Sequence, residues 1–280
     1  LNPLLLHDLL EHLRELPSLP AVVMELLATM DGPDTDLGEL AKKVAQDQAL
    51  TAKALRLANS SAYGLQAKVT TIQQAIAFLG FDSTRKLITA AAVTSNFPGG
   101  RCAGFDTQAF WRHSIASAAC ASVLARRTRF NQDVAFTAGL LHDIGRLVLA
   151  SSYPVLYQQA LDWRSAHDSS MLEAERAIFG IDHVVAGVAL AEHWNFSDAM
   201  RLAIANHHAP DAPGASFLAT IIHVADAIVH ALDLACQEDD LVPAVSSAAW
   251  TALGLDEETY LQVFRETELQ CEEITLILIG

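Results

Sequence analysis

Residues Ala138 to Ala150, AGLLHDIGRLVLA, set an adjacent His142-Asp143 pair inside an otherwise apolar helical run. A carboxylate in such a run needs a cation, a metal ion or several hydrogen-bond donors, because burying it unpaired is costly. The bland alternative is a helix N-cap, for which Asp143 ahead of Ile144-Gly145 is well placed. The chain has 11 histidines, and their placement says more than their number. His113, His142, Asp143, His183, His207, His208 and Asp226 follow one another within or at the edges of expected helices. The gaps between them are long enough for successive helices to return to one place. Imidazole and carboxylate suit divalent iron, manganese, nickel, zinc or magnesium. The set suffices for one ion and matches the roughly six to eight donors that a pair of ions needs.

Adjacent residues on a regular helix point about 100° apart, so a His-Asp or His-His pair can share a target only where the helix bends or ends. Gly145 is expected to supply that bend after Asp143. HHAPDAPG supplies it after His207-His208 through Pro210 and Pro213. Asp226, in IIHVADAIVHAL, sits mid-helix where no cap is available, so it requires a partner such as a metal or His142. His223 and His230 flank it by three and four residues and are candidate supports for it. Taken singly, His113 and His183 read more readily as hydrogen-bonded core histidines. His193 is placed to close its helix, and His7, His12 and His167 fall on charged, solvated segments.

The elements that must carry these residues are helical. Apolar residues recur at three-to-four spacing almost throughout, and alternating patterns are scarce, which predicts an all-α multi-helix bundle. Asp36-x-x-Glu39 is an acidic capping-box pattern, Gly80 is expected to close one helix, and Asp82 or Ser83 to open the next. SNFPGGRCAGF, residues 95–105, is the best candidate boundary, dividing an N-terminal lobe, 1–97, from a second lobe, 98–280. A long loop within one domain is the alternative. The terminal ITLILIG reads as a docking tail or a short strand.

The 280 residues are 51% hydrophobic, enough for a sizeable core. No uninterrupted apolar run looks long enough to cross a membrane, and the charged start does not resemble a signal peptide, so a cytoplasmic location is expected. Four cysteines without a CxxC pair indicate neither a disulfide framework nor a thiolate zinc site. The net charge of −15 opposes general nucleic-acid binding. Residues 101–280 hold 10 basic and 23 acidic groups, and no lysine follows Lys86. A first residue of Leu leads us to expect a segment of a longer protein.

LPSLPAVVMELLATMDGPDTDLGELAKKVAQDQALTAKALRLANSSAYG, then KVTTIQQAIAFLGFDSTRKL, FWRHSIASA and GLLHDIGRLVL resemble the HDOD (HD-related output domain) family over residues 16 to about 210. That family is a signalling branch of the HD superfamily of metal-dependent phosphohydrolases. The resemblance implies a helical N-terminal lobe packed on an HD-like lobe, and a bacterial signal-transduction output joined to receiver or other sensory domains. Carried over from the related HD-GYP branch, which hydrolyses cyclic di-GMP, the metal ligands are His113, His142, Asp143, His183, His207, His208 and Asp226. Arg146 stands where that branch has a phosphate-binding lysine, Ala209 where it has a glutamate, and no tyrosine follows. Ala109 leaves a further carboxylate position empty. These departures count against a third ion and against cyclic dinucleotide recognition of that type.

Two readings follow. One is a regulatory output module whose metal holds helices together and whose partner is a signalling protein or a linked sensory domain. Lys53, Arg56, Asn59 and Tyr63 then offer a contact surface, unless they are only a solvated helix face. The other is a phosphohydrolase acting on a cyclic dinucleotide, nucleotide or other phosphoester, with Asp143 and Arg146 as its catalytic residues and one or two divalent ions activating water.

Overall fold

Small side chains fill residues 116–122, ASAACAS, and neighbouring helices can therefore approach that stretch closely from several sides. It lies in the helix around which the second half of the chain is built. The computed structural model describes residues 6–13, 23–25, 37–59, 68–96, 102–236 and 241–278, and every regular element among them is helical. The N-terminal helices are α1 (Leu6–Leu13), α2 (Leu37–Ala45), α3 (Gln48–Ala58), α4 (Ile72–Leu79) and α5 (Phe81–Asn96). Then come α6 (Thr107–Arg127), α7 (Gln132–Leu141), α8 (Ile144–Ser152), α9 (Pro154–His167) and α10 (Met171–Phe179). The last are α11 (His183–His193), α12 (Asp198–Asn206), α13 (Phe217–Ala231), α14 (Ser247–Leu253) and α15 (Glu257–Leu278).

Local sequence accounts for most of the helix starts. Asp106, Asn131, Asp182, Ser197, Ser216 and Ser246 each accept a hydrogen bond from a backbone N–H in the first turn of the helix they cap. Ser170 and Glu173 form a full capping box on α10. Each such cap stabilises its helix by about 1 kcal/mol. Gly80 closes α4 at φ 83°, a left-handed conformation that suits glycine, and α5 begins at once with Phe81.

Helix α6 is buried from Phe110 to Ala125 except at Arg112, and α7, α13 and α15 all pack against it. At Gly139 of α7 an added Cβ would lie 2.8 Å from the Ala118 Cα and from the Ser117 carbonyl, so the α6–α7 crossing requires glycine. The first-half helices dock through α5 on α7, where buried Lys86 pairs with Asp133 at 2.6 Å and its ammonium lies 5.1 Å from the Phe136 ring centroid. Helix α15 reaches α3 and α5 as well as α6, and Glu266 pairs with Arg126 and Arg127.

Several expectations change. ITLILIG is neither tail nor strand over its described part, because α15 continues through Leu278. Half-buried Lys53 donates to Ser95 of α5 at 3.1 Å, and the Asn59 amide bridges Leu55 and Val69. Of the suggested contact surface, Arg56 is exposed, while Tyr63 lies outside the described residues, as does the Asp36 cap. Residues Gln132–Ser152, α7 and α8 together, are long and apolar enough to cross a membrane, yet 89% of their most apolar window is buried within the fold. All four cysteines are free thiols, three of them buried.

Candidate metal centre

The chain turns at the His142-Asp143 pair because α7 ends at Leu141 and α8 starts at Ile144. Asp143 occupies the N-cap position of α8, but its side chain makes no capping hydrogen bond, so the bland reading of this carboxylate fails. Gly145 does not make the bend as expected. It lies inside α8, where an added Cβ would run into the His183 carbonyl oxygen and come within 2.6 Å of the Gly187 nitrogen. Its role is to let α8 touch α11, which brings Asp143 to His183. His207 closes α12 as its C-cap, and the turns of HHAPDAPG follow, as the prolines imply. Asp226 lies in the middle of α13, buried, where no cap could satisfy it.

All seven residues meet around one buried point. Asp143 Oδ1 lies 3.7 Å from His142 Nε2, 3.4 Å from His183 Nε2 and 3.5 Å from His207 Nε2. Asp226 Oδ1 lies 3.0 Å from His113 Nε2 and 3.6 Å from His142 Nε2. His208, exposed at the rim, brings its Nε2 to 2.9 Å from that of His183. The donors fall into overlapping groups, Asp143 with His183, His207 and His208, and His113 with His142 and Asp143. His230, which the sequence placed only as a support, forms another group with His113 and Asp226.

The outer nitrogens fix the ring orientations. His142 Nδ1 donates to the Gly139 carbonyl at 2.7 Å and His207 Nδ1 to the Ile204 carbonyl at 2.8 Å. His183 Nδ1 donates to Glu175 at 2.6 Å, and the same carboxylate oxygen accepts from the His183 backbone N–H at 2.7 Å. Each Nδ1–H is thereby held outward, leaving Nε2 for the centre. Glu175 is fully buried, and sequence reasoning missed it. Its one signal is a carboxylate beside buried Ala174, eight residues before His183, on a helix whose other acid, Glu173, is exposed in the cap.

Electrostatics divide the imidazoles into two kinds. Burial lowers His113 and His207 against the pull of Asp226 and Asp143, and burial of its imidazole, with the His207 and His183 rings beside it, takes His208 to about 2. These three stay neutral. Burial also opposes the charging of His142 and His183, but carboxylates outweigh it, raising His142 through Asp143 and Asp226 and His183 to about 9 through Glu175 and Asp143. Although buried, Asp143 is held well below the carboxylate range by His142 and His183, and Asp226 by His113, His142 and His230.

Three polar atoms at this point, Asp143 Oδ1, His207 Nε2 and Asp226 Oδ1, are buried without a hydrogen-bond partner. The approach of His207 Nε2 to Asp143 Oδ1 at 3.5 Å fails hydrogen-bond geometry. With Nδ1 donating and the ring neutral, two lone pairs face each other there. Each orphan atom costs about 1–3 kcal/mol unless something satisfies it. A divalent cation among nitrogen and carboxylate oxygen donors satisfies all three together, so the residues fit a metal.

Asp143 Oδ2 accepts from Arg146 Nη1 at 3.2 Å, and Arg146 Nε points to the Tyr157 hydroxyl at 3.3 Å. A cavity of about 360 Å³ opens on the centre, exposing Asp143, His183, His208 and Asp226. Arg146, Arg164, residues 168–173 and residues 241–244 wall it. His223 stands behind the centre, donating from Nδ1 to the His207 carbonyl at 2.8 Å and accepting at Nε2 from the Ser246 N–H at 2.9 Å. Exposed His167 stacks on Trp163, and His193 occupies the last turn of α11.

An HDOD-domain family model matches residues 16–210. An HDOD domain protein of unknown function from Geobacter sulfurreducens is 26% identical, with 97% of this chain and 92% of that chain covered at a TM-score of 0.75. A candidate phosphohydrolase from Shewanella amazonensis is 28% identical, covering 96% and 97% at a TM-score of 0.74. A candidate signal transduction protein from Marinobacter aquaeolei is 25% identical at a TM-score of 0.78, with all of this chain and 62% of that one covered. An uncharacterized Treponema pallidum protein is 23% identical over 206 residues, a match spanning 72% of this chain and 40% of that relative.

Proposed function

The chain belongs to the HDOD family, and on that premise we propose that it is a cytoplasmic signal-transduction output domain with a retained HD-type metal site. It would serve as the regulatory module of a longer response-regulator-type protein, partnered by a linked receiver or sensory domain or by a separate signalling protein. The part-length match to the Treponema relative and the fractional coverage of the Marinobacter protein support a module within something larger. Residues 1–97 and 98–280 would be its two lobes, the second carrying the site. His113, His142, Asp143 and Asp226 would hold one ion, and Asp143, His183, His207 and His208 another. Bound ions would supply Lewis acidity and a lowered water pKa.

The observation that carries the regulatory reading is Arg146. It is the guanidinium nearest the centre, yet two of its donors already engage Asp143 and Tyr157 within the fold. A cation so engaged holds helices α8 and α9 together more readily than it receives a substrate. The hydrolytic reading is favoured by the cavity, which could admit a phosphoester and flank its charge with Arg146 and Arg164. The deciding experiment is elemental analysis of protein purified without chelator, followed by manganese- and iron-supplemented assays on cyclic dinucleotides, nucleotides and simple phosphodiesters. The regulatory reading expects bound metal without turnover. Turnover abolished by Asp143→Ala would replace it with the hydrolytic one, and metal-free protein would remove the metal site from both.

A further inference from the structure

We propose that His230 is a direct metal ligand, completing the donor set on the His113–Asp226 side of the centre. The inference rests on the metal-binding reading above and adds to it a donor that the HD motif does not contain.

Which oxygen each neighbour faces separates ligands from supports. Arg146 contacts Asp143 through Oδ2, leaving Oδ1 to the histidines. A supporting group behaves in this way, holding the carboxylate by the oxygen that does not face the ion. His230 instead directs Nε2 at Asp226 Oδ1, 3.3 Å away, the oxygen that His113 Nε2 meets at 3.0 Å and His142 Nε2 at 3.6 Å. That oxygen is buried without a hydrogen-bond partner despite three imidazole nitrogens around it. The rings of His113 and His230 lie 4.7 Å apart between centroids, tilted at 42°, and both Nε2 atoms lie within 3.3 Å of the same oxygen. Ligand atoms of His113, Asp226 and His230 all lie within 4.8 Å of one another.

Position adds a consequence. The His230 side chain is 15% exposed and lines the cavity, whereas those of His113 and Asp226 are 4% and 6% exposed. As a ligand it would approach the ion from the cavity side and, with His113 and Asp226, would leave fewer positions open to solvent or a phosphoester.

The test is Co²⁺ titration of the wild-type protein, His230→Gln, His230→Gly and a surface control, His193→Ala, followed by calorimetry and by the ligand-field absorption spectrum. Glutamine can still donate a hydrogen bond to Asp226 but is a poor ligand for the ion. A supporting role therefore leaves His230→Gln like the wild type, and a ligand role does not. The expected result is that both His230 variants lose affinity in one class of Co²⁺ site and change its ligand-field bands, the change of bands being what loss of a supporting partner alone would not produce, while the other class and the control keep wild-type behaviour. Added imidazole, entering by the cavity, restores the bands of His230→Gly. Wild-type affinity and spectrum in His230→Gln overturn the ligand assignment, as does failure of imidazole to restore the glycine variant. Absence of Co²⁺ binding by the wild type overturns the metal-binding reading itself.

Discussion

Gly145→Ala tests how the fold delivers Asp143 to its partners. The added methyl would run into the His183 carbonyl oxygen and lie 2.6 Å from the Gly187 nitrogen and 2.8 Å from the His183 carbonyl carbon. All three are backbone atoms, so no rotamer change relieves the contact. Helices α8 and α11 would have to part by about 1 Å or more before the methyl reached ordinary van der Waals distance. Overpacking of this kind costs about 1–3 kcal/mol, and rigid backbone neighbours put the cost at the upper end. Alanine's helix propensity returns at most about 1 kcal/mol. A net loss of about 2 kcal/mol corresponds to a Tm lower by roughly 4–8 °C. Because His183 is the first residue of α11, the same separation draws its ring from Asp143, and metal affinity should fall with stability. Gly187→Ala is the milder comparison, since its nearest obstacle is a single side-chain methyl, Ile204 Cγ2 at 3.0 Å, and the Gly145 backbone lies no nearer than 3.5 Å. Differential scanning calorimetry of the metal-free proteins with Co²⁺ titration reads both effects. Wild-type Tm and affinity in Gly145→Ala would refute the account of how α8 and α11 assemble the site.

Glu175→Gln removes the largest charge that holds His183 up, leaving Asp143 alone against burial, and the His183 pKa should fall from about 9 toward the ordinary histidine value, measured by imidazole NMR; metal affinity should drop about 10–100-fold. In metal-free protein the raised His183 stabilises the fold fully below about pH 6.5 and loses that contribution as pH rises through about 9, so denaturation midpoints should decline across this window in the wild type but not in Glu175→Gln. Because ligands must shed their protons, the first ion should release protons from His142 and His183 at and below about pH 6.5, and its affinity should strengthen as pH rises through about 9; calorimetry in buffers of different ionisation enthalpy counts them, and zero release would contradict the charge assignment. Lys86→Ala leaves Asp133, whose side chain is 16% exposed, without its cation at the α5–α7 contact and should cost about 3 kcal/mol by urea denaturation, with Lys86→Ala/Asp133→Ala recovering part of the loss.

The helical class was legible because periodicity is a local property of a sequence, whereas the grouping of the seven residues rested on their order along the chain and on the resemblance to the HD superfamily. Asp226 was readable for a related reason, since a mid-helix carboxylate among apolar residues has no local way to be satisfied. Gly145 was misread because a glycine beside a turn and a glycine beneath another helix leave the same mark in one dimension. Only the approach of α11, forty residues later, separates them. Glu175 and His230 were missed or underrated for the complementary reason. Both lie on ordinary helical patterns, and what distinguishes them is the atom each side chain faces, His183 Nδ1 for Glu175 and Asp226 Oδ1 for His230.

The charges around the centre connect these residues. In the metal-free protein the carboxylates of Asp143, Asp226 and Glu175 face Arg146 and the two imidazoles held protonated, His142 and His183. Three negative charges then meet three positive ones, which is how a buried cluster escapes the penalty of an uncompensated charge. One divalent ion entering as those two protons leave preserves the balance, so the site can exchange protons for a metal without changing its net charge. A second ion adds two positive charges that, among the described residues, no further carboxylate at the centre offsets, and the cavity beside His208 is the side from which an anion could supply the compensation. A site of this charge favours one ion held by the protein alone, whereas two ions favour an anionic ligand with them. Structural and hydrolytic use of the same residues therefore differ in occupancy, and occupancy depends on what enters the cavity.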